Sequence, residues 1–308
     1  MGAPFPIDPE LTAIAIAYQN RRMIADLVLP RVAVGKQEFK YWLQDLSEGF
    51  TVPDTKVGRK SQPNEVEFTA TEQTSATVDH ALDDPIPMAD IMNAPDNYNP
   101  VQRAVEGISN LIALGREVRV ANLVFDAANY ATANKATLSG TSQWSDFTNS
   151  DPAVAILESF DTMVMRPTEG VLGRAVATKL ATHPKIVKAY HGNAGDSGVV
   201  PMGFLADLLE LDALHVGEAF INTAKKGQST TMAQAWGKHA SFYHKDSMAD
   251  TARGTTFGYT AQFGDRIAGQ EEDSDIGMRG GLRVRSGESV KELLTANDLG
   301  YMFVNAIA

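Results

Sequence analysis

Residues 99 to 130, NPVQRAVEGISNLIALGREVRVANLVFDAANY, hold the clearest helical pattern in the chain and decide its fold class. Asn99 suits an N-cap, where its side-chain oxygen accepts from free backbone N–H groups, and Pro100 suits the first helical position, where a missing N–H costs nothing. Val101, Val105, Ile108, Ile112, Val118, Ala121, Phe125 and Ala128 recur at helical spacing. The pattern predicts a helix from Pro100 to about Tyr130, roughly 45 Å long, where globular helices average about 11–12 residues. Arg103, Glu106, Arg116, Glu117 and Arg119 are expected on its polar faces.

Working toward the N-terminus, Val34 to Leu46 and Glu65 to Val78 read as strands, with Phe39, Tyr41 and Leu43 alternating against Lys40, Trp42 and Gln44. Between them, Ser47 to Asn64 carries Gly49, Pro53, Gly58 and Pro63, a polar tip far longer than the usual hairpin loop of about two to five residues. Such a segment is expected to reach out and touch something else. Residues 1–33 read as an amphipathic arm: Pro4, Pro6 and Pro9 keep its start extended, then Leu11, Ile14, Ala15 and Tyr18 fall at helical spacing to about Arg21–Arg22. Pro30 closes a second apolar stretch, Met23 to Leu29.

On the C-terminal side, residues 132–150 read as a polar loop. Helices are expected from Pro152 to about Met165, Pro184 to Tyr190 and Met202 to Glu210. Strands are expected at Ala175–Lys179, Leu214–Val216, Met232–His244 and Thr255–Phe263, with further strand-like segments around Leu282 and Val284 and from Val290 to Ile307. The order of arm, long hairpin, long helix, mixed segment and closing strands argues for an α+β fold.

The 308 residues suffice for a sizeable core, and the composition, 44% hydrophobic and 21% charged, is that of a folded globular chain. No run of about 18 apolar residues suggests a membrane span, and the start lacks the basic and apolar runs of a signal peptide, so residence in the cytoplasm is the default expectation. The absence of cysteine excludes disulfides, thiolate nucleophiles and Cys-ligated zinc. A net charge of −11 argues against a protein built to grip phosphate backbones.

No chemical motif survives its context. Gly195-Asp196-Ser197-Gly198 matches the surroundings of a serine-protease nucleophile, but the flanking helices leave no place for the two barrels that position its base and acid. His239 and His244 are five apart and face opposite sides of a strand. Gly58-Arg59-Lys60-Ser61 lacks the glycine that a phosphate-binding loop requires before its lysine, and Glu271 to Asp275 lacks calcium-loop spacing. Asp83-Asp84 before Pro85-Ile86-Pro87 reads as a turn. No catalytic residue, cofactor or metal site is expected.

The whole chain resembles the major capsid proteins of tailed bacteriophages, of siphophage or Mu-like type, whose fold encapsulins also use. The resemblance is carried by Leu11–Val34 (LTAIAIAYQNRRMIADLVLPRVAV), Gly35–Gly58 (GKQEFKYWLQDLSEGFTVPDTKVG), Asp83–Pro87 (DDPIP), Thr223–Trp236 (TAKKGQSTTMAQAW) and Asp298–Ala306 (DLGYMFVNA). It implies an N-terminal arm (1–33), an extended hairpin loop (34–82), a peripheral domain with a long spine helix (83–152 and 263–308) and an axial domain (153–262). It also implies hexamers and pentamers tiling an icosahedral shell around double-stranded DNA, held without sequence-specific binding.

Within such a shell, Tyr18 and Arg21 of the arm and Trp42, Phe50, Arg59 and Lys60 of the hairpin are the expected inter-subunit contacts. Trp42 and Phe50 would lie on a neighbour's spine helix, each worth a few kcal/mol at most. Arg59 and Lys60 would pair with a neighbour's acids. A portal protein at one vertex and a separate scaffold protein are expected, the latter because no long cleaved segment precedes the arm. There is room for a minor or decoration capsid protein, and no membrane is involved. Some relatives join subunits through a Lys–Asn isopeptide bond. Lys36, Lys56 and Lys60 lie in the hairpin without an identifiable acid partner, so no crosslink is expected. An encapsulin-type nanocompartment is the alternative within the fold, and a hydrolase using Ser197 the alternative outside it.

Overall fold

The computed structural model describes residues 5–18, 20, 22–44, 50–67, 70–192, 195–225, 227–251 and 254–308. Helix α1 (Pro9–Ala17) starts where Asp8 accepts from the N–H groups of Glu10 and Leu11, with Pro9 at the first position. A short helix α2 (Ala25–Val28) leads into strand β1 (Arg31–Val34). Strands β2 (Glu38–Gln44) and β3 (Ala70–Ala76) pair antiparallel, Glu38 opposite Ala76 and Gln44 opposite Ala70, so the long hairpin is present with limbs shorter than its alternation suggested.

Only Thr77 separates β3 from β4 (Val78–Pro87), an edge strand of a different sheet. The expected turn at Asp83-Asp84 is therefore a strand. Prolines are tolerated at a sheet edge, where a missing N–H deprives no neighbour, and Pro85 and Pro87 sit on such an edge. After α3 (Met88–Met92) comes the long helix α4 (Pro100–Val124), whose cap is as expected: Asn99 Oδ1 accepts from the N–H groups of Val101 and Gln102. Its 25 residues span roughly 37 Å. It stops six residues before Tyr130 because local groups take up its last carbonyls: Asn129 Nδ2 donates to Leu123 O and Tyr130 Oη to Val124 O.

The remaining elements are β5 (Lys135–Thr137), α5 (Pro152–Asp161), β6 (Glu169–Gly173), α6 (Arg174–Ala181), α7 (Pro184–His191), α8 (Met202–Leu208), β7 (Ala213–Gly217), β8 (Phe220–Asn222), β9 (Met232–Gln234), β10 (Ala240–Tyr243), β11 (Gly258–Asp273), β12 (Gly281–Leu294) and β13 (Gly300–Val304). Ala175–Lys179, expected as a strand, is helical. Val176, Ala177, Leu180 and Ala181 are its buried residues, a helical rather than an alternating pattern. Met232–His244 is two strands rather than one. Trp236 between them lies against Gly217 so closely that a Cβ there would come within 2.1 Å of the indole. The acidic segment from Gln270 is not a loop but continues β11 to Asp273, where Arg283 of β12 pairs with Asp273 at 2.5 Å.

Two sheets organise the molecule. The four-stranded sheet runs β1-β11-β12-β4, with β1 parallel to β11 and the other pairs antiparallel. Helices α1 and α4 cover it, burying Leu11, Ala15, Val105, Ile108 and Ile112 against Ile86, Ala268 and Val284. The five-stranded sheet runs β5-β13-β10-β6-β7 and packs against α5 to α8 around Ile156, Phe160, Leu180, Val187, Leu205, Phe242 and Phe303. Trp144, in the stretch expected as a polar loop, is buried in this core against Phe303. Strand β13 belongs to this second sheet.

Candidate assembly surfaces

Among the described residues, 50–67 of the hairpin form a continuous exposed run. Phe39 roots the hairpin among Tyr259, Ala261 and Leu293, and Trp42 N donates to Thr251 O at 3.4 Å. Beyond that root, Trp42 is 44% exposed, Phe50 57% and Val52 91%, with Val57 and Val66 also exposed. The tip carries its own local order: Asp54 Oδ1 accepts from Lys56 N, Asp54 O accepts from Asn64 Nδ2, and Ser61 N donates to Gly58 O. Arg59 and Lys60 lie in that turn, exposed. Trp42, Phe50, Arg59 and Lys60 are thus all exposed in a segment that leaves large apolar side chains in water, the surface expected of something that will be covered.

The arm residues are placed differently. Tyr18 Oη donates to Asn110 Oδ1 at 3.1 Å, and Asn20 Nδ2 donates to the same atom at 3.0 Å, so Tyr18 is engaged within its own chain. Arg21 lies outside the described residues. The arm as a whole packs on its own body: Asp8 N donates to Ala268 O, and Thr12 Oγ1 bonds the same carbonyl.

A surface groove of about 930 Å³ runs between β4 and α4, lined by Leu82, Asp83, Asp84, Tyr98, Arg103 and Leu111 among others. Asp83 is held by Arg285 at 2.6 Å, which keeps its carboxyl below the usual range. Asp84 and Asp90 line the same groove and are exposed.

Helical spacing predicts Arg116 and Glu117 on a polar face. Both are buried, at 2% and 0% exposure. A buried charge must be paired and hydrogen-bonded, and both are. Arg116 pairs with Asp26 and donates through Nη2 to Leu29 O and Thr260 Oγ1. Glu117 accepts from Ile24 N at 3.0 Å, Ala25 N at 2.8 Å and Trp236 Nε1 at 2.6 Å. Burial pushes the Glu117 carboxyl up against the opposing pull of those donors. Burial also works to raise Asp26 and Glu288, but the arginines beside them, Arg116 and Arg31 for the first and Arg31 and Arg266 for the second, outweigh it and hold both below their ordinary values. An adjacent Arg-Glu pair inside an apolar helical pattern was the available signal, and periodicity alone assigned it to solvent.

Ser197 sits in an exposed loop with its hydroxyl 3.4 Å from the Asp196 carboxylate. His215 bonds Glu169 at 3.0 Å, and Lys245 pairs with the same carboxylate at 2.7 Å. Among the described residues no group of three or more His, Asp or Glu is placed to hold a metal ion, and no helix is long and apolar enough to cross a membrane.

No family model matches the chain. It is similar to the major capsid protein of Pseudomonas phage JBD67, 63% identical over 306 residues and covering 99% of each chain. Among solved structures, a phage-related protein of Bordetella bronchiseptica RB50 superposes with a TM-score of 0.76 at 22% identity over 99% of both chains. The capsid of cyanophage P-SCSP1u gives 0.55 at 11% identity over 90% of this chain and 86% of the other.

Proposed function

The chain belongs to the bacteriophage major capsid proteins, and we propose that it assembles as hexamers and pentamers into an icosahedral shell enclosing double-stranded DNA. The observation that carries this reading is the hairpin, which gathers the exposed apolar side chains of Trp42, Phe50, Val52, Val57 and Val66 in one segment. Laid on the α4 helix of a neighbour, the hairpin covers those side chains, and Arg59 and Lys60 meet the neighbour's acids. Many such weak contacts per subunit sum through multivalency. Tyr18 and Arg21 are proposed to serve the same contact from the arm.

In this reading, residues 1–33 are the arm, 34–82 the extended loop, 83–152 with 263–308 the peripheral domain and 153–262 the axial domain. A separate scaffold protein, a portal protein at one vertex and a minor or decoration protein are the proposed partners. DNA is held without sequence recognition, and assembly takes place in the host cytoplasm. The subunit's role is structural rather than enzymatic, and Ser197→Ala leaves particle yield unchanged. Loss of a hydrolytic activity in that variant would overturn the structural reading.

The test is negative-stain electron microscopy of the chain made alone and with its neighbouring phage genes. Closed shells or hexameric rings are expected, and Trp42→Ala with Phe50→Ala abolishes them while leaving the subunit folded. Dispersed monomers under every condition would refute the proposal. Nuclease-protected DNA inside native particles separates a virion shell from an encapsulin-type compartment, which would hold protein cargo instead.

A further inference from the structure

Residues 24–31 lie between the two sheets and are held by groups from both. Ile24, Ala25, Val28 and Leu29 bury their side chains in a core that combines Val120, Ala121 and Val124 of α4 with Val171, Tyr243 and Met302 of the five-stranded sheet. From the side of α4 and the four-stranded sheet, Glu117 receives the N–H groups of Ile24 and Ala25, Arg116 Nη2 and Thr260 Oγ1 donate to Leu29 O at 3.1 Å, and Thr260 N donates to Pro30 O at 2.8 Å. From the side of the five-stranded sheet, Lys245 Nζ donates to Leu27 O at 2.8 Å and is itself paired with Glu169 of β6. One atom, Glu117 Oε1, accepts from both Ile24 N and Trp236 Nε1. It joins helix α4, this segment and the strand-linking Trp236 in one contact.

We propose that residues 24–31 are a strap fixing the orientation of the four-stranded sheet against the five-stranded sheet, with Glu117 as its catch, and that releasing the strap lets the two sheets turn relative to each other. The inference does not depend on shell formation. The strap's helix has four residues and no side-chain cap of its own, so it is too short to persist without its partners. Its release exposes a buried carboxylate and a buried guanidinium together, which favours an all-or-none change over gradual loosening. The charges around it are arranged as one network. Asp26 of the strap pairs with Arg116 and Arg31, Arg31 with Glu288, Glu288 with Arg266, and Glu292 lies between Arg116 and Arg119.

The chain has no cysteine, so two can be introduced without competition. Glu106→Cys on α4 and Thr178→Cys on α6 carry spin labels, one over each sheet, on the full-length subunit. The distance distribution between them is measured with the native strap and in Trp236→Phe and Glu117→Gln, beside amide hydrogen exchange. Trp236→Phe keeps an aromatic ring in the core and removes the indole donor, so it decides the matter if Glu117→Gln fails to fold. The expected result is a narrow distribution in the native chain that widens at least about twofold in the variants. Exchange at Ala25 to Leu29 accelerates about tenfold, and exchange at Val176 to Leu180 stays unchanged. An unchanged width with faster strap exchange would overturn the strap's role in orientation. Unchanged strap exchange would overturn Glu117 as its catch.

Discussion

His183 shows how much one residue's surroundings determine its chemistry. It is fully buried at the start of α7, with Nε2 3.1 Å from Ser150 Oγ, Phe147 edge-on to its ring, and no partner for Nδ1 among the described residues. Lys185, paired with Asp151, and Lys179, over the Phe147 ring, are the charges nearby. Burial first, then the Lys185 charge, holds the imidazole pKa below its ordinary 6.5. A base whose folded pKa is depressed lends stability that is complete above its unfolded pKa and is lost as the pH falls from there toward the folded value. His80 and His239 are shifted the same way, burial again the leading cause. The melting temperature is therefore expected to fall as the pH drops below about 6.5. His183→Gln costs about 1–3 kcal/mol at pH 7 through the lost Ser150 bond and ring packing, and flattens part of that decline. A variant that kept the full pH dependence of melting would show that the imidazole is not its source.

At the scale of elements, the helix α4 and the hairpin set the expectations. Gly107 lies on an exposed turn of α4 beside the groove, and a Cβ there meets nothing within 4 Å. Gly107→Ala is expected to stabilise the isolated subunit by about 0.5–1 kcal/mol, read by urea denaturation. The same methyl group should lower particle yield if a neighbour's hairpin lies on that turn, so stability and assembly are expected to move in opposite directions. An increase in both would place the contact elsewhere.

The same elements mark what could be read in the sequence. The Asn99-Pro100 cap, the periodic helix behind it and the overlong hairpin tip were legible because each rests on local chemistry. The termination of α4 at Val124 was not, because it depends on Tyr130 folding back onto a carbonyl. The Asp83-Pro87 strand was hidden because prolines report a turn unless a sheet edge is known to be there. The sharing of Glu117 between Ile24 and Trp236 joins positions 93 and 119 residues away and leaves no periodic trace. Of the expected contact residues, the four in the hairpin are each exposed. Tyr18 is drawn to Asn110 by a hydrogen bond that no spacing rule anticipates.

For the whole molecule, the two sheets, joined through α4, residues 24–31 and the core they share, form a subunit whose surface contacts must do the work of assembly. No covalent bond between subunits is expected. Boiled particles on a denaturing gel should run as a single band near the chain mass of 33.2 kDa, and a ladder of multimers would disprove this.

The pairing of β1 with β11 sets residue 31 beside residue 260, and it bears on how the subunit is made. During translation at about 5–20 residues per second, some ten to fifty seconds separate the emergence of these two strands from the ribosome. Throughout that interval the first strand has no partner, and long-range pairing of this kind is slow to form. Nascent chains on one messenger RNA therefore cannot present a finished four-stranded sheet to each other.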